Sequence, residues 1–453
     1  MIKTTPFEMV FIIRDAMKKV LQIIFIALIL AMGLVLSAGV IICGPSEPGA
    51  NEKLSGTPAL HNKDGSWNDH FLKDTATWFS DHFFLRQELI SLNNRISAVL
   101  FNTSGEESVI IGKEGWLYFE STLDDYTGRN PMTDKELSAA AHNLELMAQF
   151  CREQGKDFVF IIAPNKNSLY PQFMPDFGVV AHERDAQKLL SRLENTPVID
   201  LFSTFEKESE ILYFKTDSHW NSKGAALAAD LINRKFGKDT AYFTAPYSYR
   251  NDYTGDLFTM IYPAFSGDET QPYYGGKLDF RYTGKATKPD SITLLTESDK
   301  DGNLLVYRDS FGNLLYPYLA DSYGSVRFSR STSYDLTPEA DHVVVELVER
   351  NLDYLISYLP VMPSPAGNIS MPEQIAGSIG ITLNQRAAAP DGYNQWTGLC
   401  DYEAGDTIYV ITQNGAYDAF QTKNGFGVYL PESEIPTDVV IVHETNQTRY
   451  QIT

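Results

Sequence analysis

The chain has 453 residues, 43% hydrophobic and 12% aromatic, which exceeds the usual single-domain size and predicts a main domain plus an accessory piece. Its 58 acidic against 37 basic residues give a net charge of -21, which excludes a nucleic-acid backbone as natural partner and favours a neutral or weakly charged ligand. Cysteines occur only at 43, 151 and 400, so this is no disulfide scaffold and the core must supply its own stability.

In chain order, Val20–Cys43 is a largely apolar run long enough to cross a bilayer as a helix. Lys3, Arg14, Lys18 and Lys19 precede it, and the acidic "GPSEPGANEK" follows. The positive-inside bias places residues 1–19 in the cytoplasm and everything after the span outside the cell membrane. A cleaved signal peptide is the alternative; the apolar run exceeds a signal h-region, and Ile42 before Cys43 spoils a small-x-small cleavage site. Residues 44–66, rich in Gly, Pro, Ser and Asn, read as a tether.

From 67 to 358 the pattern is that of one large domain. Phe71, Thr75, Trp78, Phe79 and then Leu85, Leu89, Leu92, Ile96 predict two helices around "SDHFFLR", and "SVIIGKEGWLYFE" predicts a hairpin turning at Lys113–Gly115. Next, Thr133 caps a helix that ends near Gly155, followed by the strand "DFVFIIAPNK". A helix near 184–194, the strand "PVIDLF", a helix over 222–236 and the strands "NLLVYRDSF" and "ADHVVVELVE" complete an α/β alternation, predicting a mostly parallel sheet covered on both faces. Residues 240–290, rich in Tyr, Gly, Thr and Asp, read as an inserted lobe. Four prolines mark 359–373 as a linker, and 374–453 reads as a small β-rich module.

The stretch "YFKTDSHWNSKGA" carries the first chemical signal. Residues two apart on an extended segment share a side, so Asp217 could hold Nδ1 of His219 and leave Nε2 as a base, provided a nucleophile comes from elsewhere. Ser310, in "LLVYRDSFGNLLYPYLA", follows a buried strand and precedes a helix, where its amide could stabilise an oxyanion. Asn165, at the end of an earlier core strand, is a second candidate oxyanion donor. The plainer readings are turn formation and helix capping for Asp217, Asn221, Asp309 and Ser310, and a strand-ending turn for Asn165. A metal site would need a third ligand beside Asp217 and His219, with the "DH" pairs 69–70 and 81–82 as sources, and no metal or other cofactor is expected. Trp220, Tyr253, Tyr262, Tyr273 and Tyr274 are candidate flat surfaces for sugar rings.

Taken in order, "FSDHFFLRQELISLNN", "VIIGKEGWLYF", "IIAPNKNSLYPQFMP", "YFKTDSHWNSKGA", "TGDLFTM", "YRDSFGNLLYPYLA" and "ADHVVVELVER" resemble the blocks of the DHHW and AlgX/AlgJ-like family. These are SGNH-hydrolase-like proteins of bacterial envelopes related to alginate O-acetyltransferases. The resemblance implies a flavodoxin-like three-layer α/β/α domain with a permuted block order, in which Asp-x-His precedes the serine. It implies Ser310 as nucleophile, His219 as base and Asp217 as its orienter. It further implies a cell-surface polysaccharide as acceptor, a membrane-bound O-acyltransferase as acyl supplier and an extracytoplasmic O-acetyltransferase as the activity. The segment after 373 shows no match to the carbohydrate-binding β-sandwich that alginate enzymes can carry. A carbohydrate acetyl esterase with the same triad, and a non-catalytic polysaccharide-binding or assembly protein, are the rival expectations.

Overall fold

The computed structural model describes residues 6–49, 52–101 and 103–453, so Lys3 lies outside the described residues. Two compact units emerge: Met1–Val109 with Thr254–Gly267, and Ile110–Tyr253 with Asp268–Thr453.

In the first unit the helix Pro6–Cys43 contains a stretch, Met17–Cys43, long and apolar enough to span a membrane. Its apolar side chains, Leu21, Ile23, Leu28 and Leu34 among them, face outward, as expected of a surface solvated by lipid. Helices Phe71–His82 and Arg86–Phe101 follow, matching the expected pair. The expected tether is pinned instead of free. Glu52 pairs with Arg86, Ser55 N donates to Asp81 Oδ2 at 2.9 Å, and Ser46 N donates to His82 O at 3.1 Å. Gly and Pro content reports only poor helix propensity; here polar groups tie an irregular segment to its neighbours. His82 Nδ1 bonds Trp78 O at 2.8 Å within its own helix. Part of the expected lobe also belongs here: Asn94 Nδ2 donates to Ile261 O at 2.8 Å, and Ala264 N to Ser91 Oγ at 3.0 Å. The expected single domain over 67–358 is therefore divided.

The second unit opens with the hairpin β1 (Val109–Ile111) and β2 (Leu117–Phe119) around the expected turn. Its centre is a seven-stranded sheet built from β3 (Asp157–Ala163), β4 (Val198–Ile199), β7 (Arg281–Tyr282), β8 (Thr293–Glu297), β9 (Asn303–Tyr307), β10 (Ser325–Ser329) and β11 (His342–Val348). The order is β4-β3-β11-β9-β10-β8-β7; the first five strands run parallel, β8 lies antiparallel beside β10, and β7 lies antiparallel beside β8. Between β7 and the first core strands in sequence, β5 (Tyr247–Tyr253) and β6 (Glu269–Tyr274) form a separate two-stranded ribbon.

Both faces of the sheet are covered, which is why its strands read as continuous apolar runs. Phe158, Phe160 and Ile162 of β3 pack with the helix Asp134–Glu153, whereas Val159, Ile161 and Ala163 pack with the helices Ser222–Lys235 and Gly312–Ser322. Each of the Phe, Ile and Val side chains contributes about 1.5–3 kcal/mol of hydrophobic burial. Thr133 caps the first helix in a capping box with Glu136, worth about 1 kcal/mol. The strand expected over "PVIDLF" stops at Ile199, because the Asp200 side chain accepts Ser203 N at 3.1 Å and starts a helix over Leu201–Glu206.

Residues 366–452 form a six-stranded and a four-stranded sheet. Their Phe420, Phe426, Val428 and Tyr429 share one core with Leu144, Met147 and Cys151 of the helix Asp134–Glu153. The expected linker is built into this core: Val361 and Met362 are buried, Val361 N donates to Tyr334 O at 2.8 Å, and Tyr429 N donates to Ser364 Oγ at 3.0 Å. Prolines forbid helix there without requiring solvent.

Candidate active site

Residues 212–221 form a tight loop that presents the histidine. Asn221 N donates to Leu212 O at 2.8 Å, Phe214 N donates to His219 O at 3.2 Å, and Tyr213 bridges Trp220. Asn221 Oδ1 then caps the helix Ser222–Lys235 through Lys223 N (2.9 Å) and Gly224 N (3.2 Å), so the capping role expected of this stretch coexists with presentation of His219. A Cβ at Gly224 would lie 2.5 Å from Leu212 O, which makes glycine the residue that lets loop and helix close on each other.

Ser310 stands in the turn between β9 and the helix Gly312–Ser322. Asp309 fixes that turn: its Oδ1 accepts Phe311 N at 2.9 Å, and its Oδ2 accepts Val348 N at 2.7 Å and Asn351 Nδ2 at 3.1 Å. A Cβ on Gly312 would meet Arg308 Cδ at 2.2 Å, so the turn cannot carry a larger residue in that position unaltered.

The two loops meet. Ser310 Oγ is 2.8 Å from His219 Nε2, and His219 Nδ1 is 2.7 Å from Asp217 Oδ1. Asp217 Oδ1 also accepts His219 N at 3.0 Å, and Asp217 Oδ2 accepts the Tyr253 hydroxyl at 2.7 Å. Asp217 is 4% exposed, whereas His219 and Ser310 are half-buried, the arrangement in which an orienting carboxylate is shielded and the reacting atoms are reachable. With Asp217 accepting the Nδ1 proton, Nε2 is left to take the serine proton.

Asn165 lies at the same end of the sheet. Val345 of β11 pairs with Phe160 on one side and Tyr307 on the other, so the segments leaving β3 and β9 emerge together. Asn165 N donates to Glu349 Oε2 at 2.8 Å; its side-chain Oδ1 and Nδ2 are buried and have no hydrogen-bond partner among the described residues. Lys166, buried beside it, donates to Phe214 O (3.1 Å), Lys215 O (3.1 Å) and Asp217 O (2.6 Å), gathering the carbonyls of the histidine loop.

The aromatic candidates separate. Trp220 is fully buried and its Nε1 donates to Phe311 O at 3.0 Å, so it is a core residue and not a sugar surface; an indole with one polar atom is satisfied by a single backbone acceptor. Tyr253 spends its hydroxyl on Asp217 and stacks on Phe214, and Tyr274 donates to Phe243 O at 3.0 Å. Tyr273 keeps an exposed ring with the Arg250 guanidinium over it. Tyr262 lies in the other unit, beside Phe258 and Phe265. Sequence reasoning missed Lys166 and Glu269; the latter accepts Thr216 N at 2.8 Å and Lys215 N. Neither carries a spacing signal, since each reaches the loop from a distant segment.

Residues 109–301 match the family model described as "SGNH hydrolase-like domain, acetyltransferase AlgX". That stretch is similar to the SGNH-hydrolase-like domain of AlgX. The match takes in Asp217 and His219 and stops just short of Ser310, which rests on the geometry above. Curated proteins similar to this chain include the probable alginate O-acetylase AlgJ of Pseudomonas syringae pv. tomato, 25% identical over 256 residues, covering 54% of this chain and 61% of the relative. That of Pseudomonas putida is 23% identical over 212 residues, covering 44% and 54%. The chain thus spans 61% or less of the length of the curated relatives described here. Among solved structures, a DHHW family protein from Eubacterium siraeum is 16% identical with a TM-score of 0.43, over 56% of this chain and 99% of that one. Bacillus cereus PatB1 is 20% identical with a TM-score of 0.42, over 54% and 96%.

Proposed function

We propose that this protein is a membrane-anchored, extracytoplasmic O-acetyltransferase of the bacterial envelope, moving an acetyl group through a Ser310 acyl-enzyme onto hydroxyls of a cell-surface polysaccharide. The observation that carries the reading is the line of contacts from Ser310 Oγ to His219 Nε2 at 2.8 Å and from His219 Nδ1 to Asp217 Oδ1 at 2.7 Å. The names of the AlgJ relatives, probable alginate O-acetylases, supply the reaction class. The acceptor in this reading is a polysaccharide, and its identity as alginate does not follow from the relatives' names.

In the first step His219 Nε2 takes the Ser310 proton as Oγ attacks the acetyl carbonyl, and the imidazolium returns that proton to the departing group as the tetrahedral adduct collapses. In the second, a sugar hydroxyl gives its proton to Nε2 and attacks the acyl-serine, and the regenerated Ser310 recovers the proton. The Ser310 amide and Asn165 Nδ2 are the oxyanion donors in this scheme. A buried amide side chain without a partner costs about 1–3 kcal/mol, and a charge that forms only during reaction is a reason to keep one. The Met17–Cys43 helix supports anchoring, and a membrane-bound O-acyltransferase is the proposed acyl supplier.

The test is incubation of the full chain in detergent with an activated acetyl ester and oligosaccharides. Acetylated sugar together with an acetyl group mapped to Ser310 is expected. Release of acetate alone would make it an esterase, and envelope acetylation unchanged by Ser310→Ala would make it a non-catalytic binding or assembly protein.

A further inference from the structure

The β5–β6 ribbon ends on the histidine loop. Its terminal cross-strand pair is Tyr253 and Glu269. Tyr253 donates its hydroxyl to Asp217 Oδ2 at 2.7 Å and lays its ring on Phe214, centroids 3.9 Å apart and planes 11° from parallel. Phe214 is buried and donates its amide to His219 O, so the ring under Tyr253 belongs to the same small loop as the base. Glu269 accepts Thr216 N at 2.8 Å, the Thr216 hydroxyl and Lys215 N. From the other side Lys166 holds the carbonyls of residues 214, 215 and 217. An anion therefore collects the loop's amides and a cation its carbonyls, each matched in sign to the backbone groups it meets.

We infer that the ribbon is a clamp on the catalytic loop and that Tyr253 is a positioning residue, whose hydroxyl fixes Asp217 Oδ2 so that Oδ1 stays on His219 Nδ1. A carboxylate can turn about its Cβ–Cγ bond and offer either oxygen. With Oδ2 held by a phenol whose ring is stacked in place, the oxygen facing His219 is set, and with it the imidazole's direction toward Ser310. This rests on the acyl-transfer reading and goes beyond it, because it gives an element outside the central sheet control of the proton relay. It also accounts for a tyrosine close to the site that offers no flat face to sugar.

Within the second unit, charged groups facing this relay include Asp217 itself, Lys166 on the loop carbonyls, Glu269 on the loop amides, and Arg350, whose guanidinium lies 5.6 Å from the Phe311 ring beside His219. Removing the tyrosine donor leaves more negative charge on Asp217 for His219 to feel, so protonated His219 is favoured and the acidic limb of the pH profile moves to higher pH.

The experiment uses the full chain carrying Tyr253→Phe, which keeps the stacked ring and removes only the hydroxyl. With an activated acetyl ester, kcat is expected to fall about 10- to 100-fold with KM within about twofold. The acidic limb should shift upward, and the downfield proton resonance of His219 Nδ1 should move. Glu269→Gln, which replaces one of the accepting oxygens by an amide, should lower kcat in the same direction. Unchanged kcat, pH limb and resonance in Tyr253→Phe would overturn the proposal, as would a rise in KM alone, which is the signature of substrate contact. If wild type proves inert toward every ester and acceptor, the transferase reading fails, and the imidazole resonance still decides whether Tyr253 positions Asp217.

Discussion

Trp220 Nε1 donates to Phe311 O at 3.0 Å, tying the residue after the base to the residue after the nucleophile. The indole is fully buried, and its ring meets Phe311 edge-on with centroids 5.1 Å apart. Two loops 91 residues apart in sequence are thereby held by one bond and one ring contact next to the atoms that react.

Trp220→Phe keeps an aromatic ring there but removes the donor and some volume. The expected result is a stability loss of about 1–3 kcal/mol and a fall in kcat of about 10-fold or more, with KM little changed. Urea unfolding and steady-state kinetics on an activated acetyl ester measure both. Normal kcat in the folded variant would mean that the two loops keep their spacing without this strut.

Lys166 puts a buried ammonium against three carbonyls of the histidine loop. Lys166→Met preserves length and apolar packing against Trp116 and Tyr118 while taking this donor from Phe214 O and Asp217 O; Lys215 O still accepts Leu117 N at 3.0 Å. A cost of about 3 kcal/mol or more follows from orphaned buried acceptors, together with a large drop in kcat as the loop loosens. Equal urea midpoints for variant and wild type would refute this.

These residues also show where the sequence was legible. β3 and β11 stand out because a strand covered on both faces must be apolar throughout, and Asp217, His219 and Ser310 stand out because each sits at an element boundary in a recognisable block. Lys166 and Glu269 do not, since a lone lysine or glutamate gives no sign that it will close on a distant loop. Trp220 reads the same whether it faces sugar or core. The segment 359–373 misleads because proline content reports backbone dihedrals and not burial.

Glu349 Oε2 receives the amide of Asn165, so the oxyanion candidate rests on a carboxyl with an unusual affinity for its proton. Burial first, and then the adjacent Asp125 carboxyl, pushes Glu349 up to about 8 from its ordinary 4.5, against the opposing pull of Arg184. Asp125 is raised as well, by burial above all, so two neighbouring buried carboxyls both favour the protonated form. The folded protein thus holds a proton that the unfolded chain releases once pH passes 4.5, and stability falls as pH rises from there toward about 8. The slope is at most about 1.4 kcal/mol per pH unit for one proton. Glu349→Gln has no proton to lose and should flatten the decline. Thermal unfolding of both proteins across that pH range is the measurement, and parallel declines would show that Glu349 does not set the slope.

Asn143 bears on whether the C-terminal sheets are a separate module or part of the main core. From the middle of the helix Asp134–Glu153 its Nδ2 donates to Leu355 O and Gln421 O, both at 2.8 Å, and its Oδ1 accepts Gln421 N at 2.8 Å. The side chain is buried, so all three bonds are made away from water. Asn143→Ala leaves one buried amide and two buried carbonyls short of a partner, at about 1–3 kcal/mol for each group that water cannot reach. If residues 366–452 are integral to the core, as their shared packing with Leu144 and Met147 indicates, the variant unfolds in one cooperative transition at lower urea. The site should then lose activity in step with the C-terminal sheets. A biphasic curve, in which the C-terminal sheets melt first while ester turnover persists, would instead make them an independently folding module.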